Sequence, residues 1–483
     1  MTFDPGTRGK RRMTSLEGRK IAVLGLGASG LAAARLALSK GGEVYVSDRH
    51  ADAEVAARAA ELRSLGARVE TGDHTVEELE RADTVVVSPG IAPDTPVLRR
   101  LRAGGVRWIS EPEFAFRFLP GALIAVTGTN GKTTTAALTA HLLRQSGMDV
   151  GLGGNIGPGF GPPASELALL EPEPEWCVVE ISSFQLADIV DFRPDIGVVT
   201  NLAPDHLDRY PGVESYYADK ARLFDTATPD SRWVLNGDDP AVEALAGEAP
   251  GERFYFALDP ETRPTGPLHA FLRDGVLVLR LHAPEEGNPS PGRSPSETTL
   301  AREFRLPLLG RHNVANALAA SLTAALAGAP AESIAQGLET FQALPHRLEP
   351  VGERNGVRWV NDSKATNVAA TCGALESLSG PLVLLLGGKD KGEDLGPLRR
   401  ALHDGVRGAV LYGEARRRLR EELEGALPLE VVEGSFEDAV EKAVEMTEPG
   451  DTLLLSPASS SFDMFESYEA RGRRFRTLAR GEA

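Results

Sequence analysis

The chain has 483 residues, 42% hydrophobic and 25% charged, an ordinary globular composition long enough for about three domains. Asp and Glu outnumber Lys and Arg, 69 to 52, for a formal charge of −17. That field repels phosphate backbones and excludes broad nucleic-acid binding, though not a local nucleotide pocket. No apolar run approaches the ~20 residues that span a bilayer, so membrane insertion is not expected. Two cysteines, Cys177 and Cys372, are too few for a disulfide framework and fit a cytoplasmic setting.

The polar, basic start has no apolar stretch after it and does not read as a secretory signal. Residues 1–15 are expected to be a disordered leader, or else the true start is Met13 and the residues before it come from an upstream start codon. The first ordered unit is Ile21–Leu24, a glycine turn, and an alanine-rich helix from Leu31 to Ser39. Strands follow at Val44–Val46, ending at Asp48, and at Thr84–Val87. A second strand–turn–helix unit opens at Leu123–Val126, with further strands near Trp176–Glu180, Ile196–Thr200 and Arg232–Leu235. Residues 284–299, rich in Pro, Ser and Gly, read as a surface loop. A long helix is expected over Arg311–Ala327. The last third alternates again: strand Val357–Val360, helix Asn367–Leu378, then strands at Leu382–Leu386, Gly408–Leu411 and Thr452–Leu455. Strands alternating with helices predict parallel sheets. The chain therefore reads as α/β, in three consecutive domains over 16–111, 112–343 and 344–483.

Gly25-x-Gly27-x-x-Gly30, between a strand and a helix, fits a dinucleotide-binding turn, with Asp48 placed as a ribose-binding acid. An ordinary tight turn fits as well, and the motif alone does not specify NAD. Gly128-Thr129-Asn130-Gly131-Lys132-Thr133-Thr134 is sharper. Glycines, a lysine and hydroxyls opening a helix are the parts of a phosphate loop, here a shortened variant with Val126 where the standard spacing needs Gly. Lys132 brings charge to the phosphates, and Thr133 can hold Mg²⁺. Glu180 ends an apolar strand, either as a Mg²⁺ ligand or as a capping acid. Asp205, His206 and Asp208 crowd three ionisable groups after the strand ending at Thr200, where α/β sheets bind ligands.

Lys220 lies in the helix Tyr216–Phe224. At about 100° per residue it falls among Tyr216, Leu223 and Phe224, inside the apolar arc. It is either a lysine whose ammonium snorkels out or a desolvated amine that gives up its proton and can be modified. Asn313 and Asn316 open the long helix, Arg347 sits at the second domain join, and Asn361–Asn367, Gly387–Lys391 and Ser456–Asp463 form polar loops after three successive strands. Each is either a cap or a site for anionic groups.

Gly128–Thr134, Glu180-Ile-Ser-Ser-Phe-Gln185, Asp205-His-Leu-Asp-Arg-Tyr-Pro211, Asn361-Asp-Ser-Lys-Ala-Thr-Asn367 and Ser456-Pro-Ala-Ser-Ser-Ser-Phe-Asp463 together resemble the Mur ligases of peptidoglycan synthesis, and among them the D-glutamate-adding type. The resemblance implies a Rossmann-like N-terminal domain binding a UDP-sugar, a central ATPase-like domain with a phosphate loop, and a Rossmann-like C-terminal domain. It implies that ATP phosphorylates the carboxylate of UDP-MurNAc-L-Ala and that D-glutamate attacks the acyl phosphate. Gly128 to Thr134, Asn313, Arg347 and Asp362 would bind ATP. Thr133, Glu180, His206 and Lys220 would hold two Mg²⁺ ions, with Lys220 carbamylated by CO₂, and Lys132, Glu180, His206 and Lys220 would carry catalysis. Gly27, Ala28, Ser29, Asp48, Arg49, Asn155 and His206 would contact the UDP-substrate, and Thr366, Lys391, Ser461, Phe462 and Tyr468 would fix D-glutamate. The substrates would be small molecules and the protein a cytoplasmic monomer. Asp48-Arg49-His50 departs from the Asp-Thr-Arg common in relatives. Other readings of the residues are a different Mur ligase, folylpolyglutamate synthase, an NAD-dependent oxidoreductase, or a non-catalytic nucleotide switch.

Overall fold

The computed structural model describes residues 13–157, 159–207, 209–261, 269–281, 296–306, 308, 310–342, 344–378 and 380–482. The fold is α/β, with three sheets in chain order. The first contains β1 (Lys20–Leu24), β2 (Glu43–Asp48), β3 (Arg68–Thr71), β4 (Thr84–Val87) and β5 (Trp108–Ser110), ordered β3-β2-β1-β4-β5 and parallel throughout. The second contains β6 (Ala122–Thr127), β7 (Val150–Gly154), β8 (Trp176–Glu180), β9 (Ile196–Val199), β10 (Arg232–Asn236), β11 (Glu252–Ala257), β12 (Ala270–Arg273), β13 (Val276–Leu281) and β14 (Ser296–Arg302). Its order is β14-β13-β12-β11-β10-β9-β6-β8-β7. The third contains β15 (Glu349–Arg354), β16 (Val357–Asn361), β17 (Leu382–Gly387), β18 (Val406–Tyr412), β19 (Leu429–Val431) and β20 (Thr452–Leu455), ordered β15-β16-β20-β17-β18-β19.

The central strands carry the apolar runs that mark them in sequence. Every residue of β6, β8 and β17 is buried, because parallel strands are covered on both faces and cannot alternate polar with apolar. Each buried Val, Leu or Ile contributes roughly 1.5–3 kcal/mol against exposure. Short polar residues set the helix starts. Asn367 caps the helix Val368–Ser377 through Ala370 N–H at 2.8 Å, so it is a cap, not the first helical residue. Ser182 and Gln185 form a reciprocal capping box after β8.

The chain forms two compact units. One holds the first two sheets and most of their helices; the other holds the third sheet with residues 203–213 and 302–316. The expected 284–299 loop needs correction at its end. Residues 296–299 open β14, where Ser, Glu and two Thr are all exposed on the sheet's edge strand, while 284–295 lie outside the described residues. The expected leader does so as far as residue 12, and Asp208 does too.

Candidate active site

The expected phosphate loop follows β6, which lies between β9 and β8 in the second sheet. Gly128 has φ +138° and Gly131 φ +80°, backbone states that favour glycine. A Cβ on Gly128 would lie 2.0 Å from Thr200 Oγ1. The loop is clamped by the end of the neighbouring β9 segment: Thr129 N–H donates to Asn201 O at 2.8 Å, Asn130 N–H to Asn201 Oδ1 at 2.9 Å, and Asn201 Nδ2 to Asn130 O at 3.0 Å. Thr200 Oγ1 donates to Asn130 O at 2.6 Å. Lys132 opens the helix Lys132–Gln145 and folds back, its Nζ donating to Gly128 O at 3.0 Å and Thr129 O at 2.7 Å. Thr133 and Thr134 are buried behind it.

Lys220 is 1% exposed, so its ammonium does not snorkel out. Its Nζ donates to Gly128 O at 2.7 Å and lies 4.6 Å from the Tyr216 ring centroid. Tyr216, one helical turn before, carries its hydroxyl 3.3 Å from Thr129 Oγ1. The helical-wheel reading thus places Lys220 correctly, and the third dimension decides that the amine turns into the phosphate loop.

Glu180 ends β8, in register with Val126 on one side and Gly154 on the other. It is buried, with Oε1 3.5 Å from Asn155 Nδ2 and Oε2 without a hydrogen-bond partner. An orphaned buried carboxylate oxygen is a costly arrangement unless another group completes it. Among the described residues no three His, Cys, Asp or Glu side chains cluster as a metal site. A hard cation here would therefore draw on Glu180, the Thr133 hydroxyl and oxygens of a bound triphosphate, the mixed donor set Mg²⁺ accepts.

At the first sheet Gly25 has φ +94° and a Cβ on Gly30 would lie 1.8 Å from Gly25 O, so the expected turn forms. Gly27 precedes the helix Ala28–Ser39, which begins with Ala28 and Ser29. Asp48 is nearly buried. Its Oδ2 accepts Leu26 N–H at 2.7 Å, and its Oδ1 accepts His50 N–H at 2.8 Å and faces His50 Nδ1 at 3.0 Å. Burial alone would raise its pKa, but these hydrogen bonds hold it below the usual carboxylate value. Both oxygens of Asp48 thus fasten the glycine turn, and Arg49 beside it is exposed.

In the second unit His206 adopts φ +57°, and its neighbour Asp205 is the anchor. Asp205 Oδ2 accepts from Asn367 Nδ2 at 2.9 Å, and Lys391 Nζ lies 3.4 Å from Oδ1. Burial opposes the charge, yet Lys391, His206 and Asn367 hold Asp205 down to about 2. Arg347 stands near Asp362, whose oxygens accept Leu348 N–H at 3.2 Å and the Ser456 hydroxyl at 2.8 Å. Burial pushes that carboxyl up to about 7. Asn316 Nδ2 donates to Asn313 Oδ1 at 3.1 Å. Thr366 is half-buried, Ser461 buried and Phe462 67% exposed. Tyr468 presents its ring to Lys364 Nζ at 3.9 Å.

Sequence reasoning missed the residue that joins these loops. Arg471, fully buried in the helix Tyr468–Ala479, donates to Ser363 Oγ at 3.0 Å, Ser363 O at 2.9 Å, Ser459 O at 3.2 Å, Ser460 O at 3.3 Å and Gly387 O at 3.4 Å. It ties together the loops after β16, β17 and β20. In the string Arg471-Gly-Arg-Arg it looks like any solvated charge. Glu393 was missed as well. Its Oε2 accepts Val368 N–H at 3.0 Å, and burial pushes its carboxyl up to about 7.

Three family models match in succession: "Mur ligase MurD-like, N-terminal domain" over 19–110, "Mur ligase middle domain" over 126–324, and "Mur ligase, glutamate ligase domain" over 346–459. A UDP-N-acetylmuramoylalanine–D-glutamate ligase of Acidobacterium capsulatum is 42% identical over 463 residues, 96% of each chain. One from Trichlorobacter lovleyi is 39% identical over 96% of this chain and 99% of its own. Among solved structures, the pseudomurein peptide ligase type C of Methanothermus fervidus aligns at TM-score 0.59 and 20% identity, covering 95% of this chain and 99% of that one. The UDP-N-acetylmuramate–alanine ligase MurC of Thermotoga maritima aligns at TM-score 0.58 and 20% identity, over 96% and 100%. These two share the fold. Close sequence agreement from the first glycine turn to the last strand-end loop means that this chain belongs to the Mur ligase family.

Proposed function

We propose that this protein joins D-glutamate to UDP-N-acetylmuramoyl-L-alanine, with ATP activating the muramoyl-linked carboxylate as an acyl phosphate. The observation that carries the reading is the convergence of Lys132, Lys220 and Glu180 on the end of β6, in a chain 42% identical along 96% of its length to a ligase of that name. The activity of relatives such as the Acidobacterium enzyme supplies the substrates. In this reading residues 16–111 bind the UDP-sugar, 112–343 bind ATP, and 344–483 bring the amino acid and close on the nucleotide.

A carboxylate is a poor electrophile, and three anions must meet. Lys132 and the backbone N–H groups opening its helix hold the phosphates. Mg²⁺, two ions in this reading, supplies charge neutralisation of the transferring phosphoryl group when bound. Thr133 and Glu180 would hold one ion, and His206 with Lys220 the other, Lys220 as its carbamate. The Lys220 amine, after losing its ammonium proton to solvent, adds CO₂ and releases a second proton to give a carbamate, so that an anion with oxygen donors stands beside Lys132 in place of a second ammonium group. Asn155 and His206 orient the acyl group, while Gly27, Ala28, Ser29, Asp48 and Arg49 border the UDP moiety. Asn313, Arg347 and Asp362 contact the nucleotide. Thr366, Lys391, Ser461, Phe462 and Tyr468 fix D-glutamate so that its amine attacks the acyl carbon. Positioning of this kind is worth on the order of 7–11 kcal/mol.

Among the described residues no helix is long and apolar enough to cross a membrane; in this reading the enzyme works in the cytoplasm as a monomer. The test is phosphate release from MgATP with UDP-MurNAc-L-Ala and each of D-glutamate, L-alanine, meso-diaminopimelate and L-glutamate. Release with D-glutamate alone supports the reading; silence with D-glutamate removes it.

A further inference from the structure

The mechanism leaves one charged cavity unused. It has a volume of about 490 Å³ and lies at the N-terminal ends of β4 and β5, where the β5 edge meets the segment after the helix Ser183–Leu186. There Ser110 N–H donates to Asp188 O at 2.9 Å. The glycine turn and Asp48 belong to the opposite, C-terminal ends of β1 and β2, so this is a separate place on the same sheet.

Arg102, Arg107, Arg117 and Arg222 all line it. Four guanidinium groups around one cavity are unexpected in a chain of net charge −17, because like charges repel unless something lies between them. The partners already present offset them in part. Arg222 gives two of its nitrogens to the backbone carbonyls of Ala187 and Ile189, which carry no charge, its Nε faces Asp225 at 3.2 Å, and Asp188 draws on both Arg222 and Arg102 by charge. Arg102 lies 5.2 Å from the Trp108 ring centroid and donates to Pro93 O at 3.5 Å. Arg117 reaches Glu113 at 3.4 Å, but the other oxygen of Glu113 is shared by the N–H groups of Val190, Asp191 and Phe192. Two carboxylates, Asp83 and Asp188, also line the cavity. Asp83 accepts Lys20 N–H at 2.8 Å and faces Arg19 at 3.6 Å, and Asp188 takes the Trp108 indole N–H. The lining itself carries four guanidinium groups against two carboxylates, beside the Trp108 ring.

We propose that this cavity is a second anion site, built to take a small phosphorylated molecule with a ring or apolar portion. Guanidinium forks match phosphate oxygens in pairs, and the indole edge with its neighbouring aliphatic side chains covers the rest. The volume exceeds what inorganic phosphate fills and falls in the range of small-ligand sites, about 300–1,000 Å³.

The experiment is a pair of crystal soaks of the full chain, one with tungstate and one with 8-bromoadenosine 5′-monophosphate, each located by anomalous scattering. The same soaks are made on the Arg102→Ala/Arg107→Ala double variant, whose side chains are exposed and carry no fold contact of the reaction centre. The expected result is tungsten and bromine in this cavity in the wild type, both lost in the double variant, while tungsten at the phosphate loop persists. In solution, the affinity of the cavity for the bromonucleotide should fall at least tenfold in the variant, measured with the phosphate loop saturated by MgADP. Tungsten without bromine overturns the organic-phosphate assignment. An empty cavity in both soaks, or occupancy unchanged in the variant, overturns the site.

Discussion

Lys132 and Lys220, 88 positions apart in the chain, hydrogen-bond to the same atom, the carbonyl oxygen of Gly128, at 3.0 and 2.7 Å. The two amines meet at one uncharged carbonyl. A phosphate would sit against both, whereas a carbamate on Lys220 would replace one of the two amines by an anion facing Lys132.

Lys220→Ala should therefore lower D-glutamate-dependent turnover by about 100-fold or more, the scale of a lost electrostatic stabiliser. Formate or acetate should restore part of it by returning carboxylate oxygens to the gap. Steady-state phosphate release with and without the acids decides this; wild-type turnover in the variant would exclude a carbamate role.

The orphaned Oε2 of Glu180 gives a second prediction. Glu180→Gln keeps the shape and the Asn155 contact but removes the charge that would attract a divalent cation. The magnesium concentration for half-maximal activity should rise at least about tenfold, with little change in thermal stability. A magnesium titration of activity alongside a melting curve separates the two effects.

Arg471 should behave as a positioning residue. Its loss leaves four carbonyls and a hydroxyl in the second unit short of a donor. Arg471→Ala should destabilise the fold by about 2–5 kcal/mol. Arg471→Lys should rescue little, because one ammonium cannot span a fork of acceptors. The distinguishing readout is a raised KM for D-glutamate in the Lys variant at temperatures where it remains folded.

Glu111 provides a pH prediction. It is fully buried, its Oε1 accepts Ser165 N–H at 2.5 Å, and its Oε2 has no hydrogen-bond partner. Burial pushes its carboxyl up to about 7 from an ordinary 4.5. A folded value raised above the unfolded one favours the protonated, folded form. That stability is present below about 4.5 and is lost as pH rises through about 7. Glu111→Gln should remove this dependence, raising Tm relative to wild type more at pH 8 than at pH 5. The scale is on the order of 3 kcal/mol. Equal shifts at the two pH values would show that Glu111 titrates in the ordinary range.

Sequence and structure agree most closely where chemistry and local geometry coincide within a few residues. The apolar runs of β1, β6, β8, β17 and β20, the glycines of the two strand–helix turns and the polar loops after the strands were legible, because a buried parallel strand must be continuously apolar and a phosphate loop needs glycine and lysine in register. Weakly patterned strands were not. β7 is Val-Gly-Leu-Gly-Gly and β14 is largely polar; they form because neighbouring strands offer them a ladder, a force with no local signature.

The order of residues alone fixed which strands would be buried, where phosphate can be held, and that Lys220 lies on the apolar side of its helix. Only the tertiary structure decided that Lys220 meets Gly128 O, that Asp205 holds Lys391 and Asn367, that both oxygens of Asp48 are used by its own turn, and that Arg471 is a buried knot and not a surface charge. Periodicity orients a side chain about its own helix or strand. Which backbone carbonyl or carboxylate stands opposite depends on segments as many as 186 residues away, brought there by sheet order and core packing.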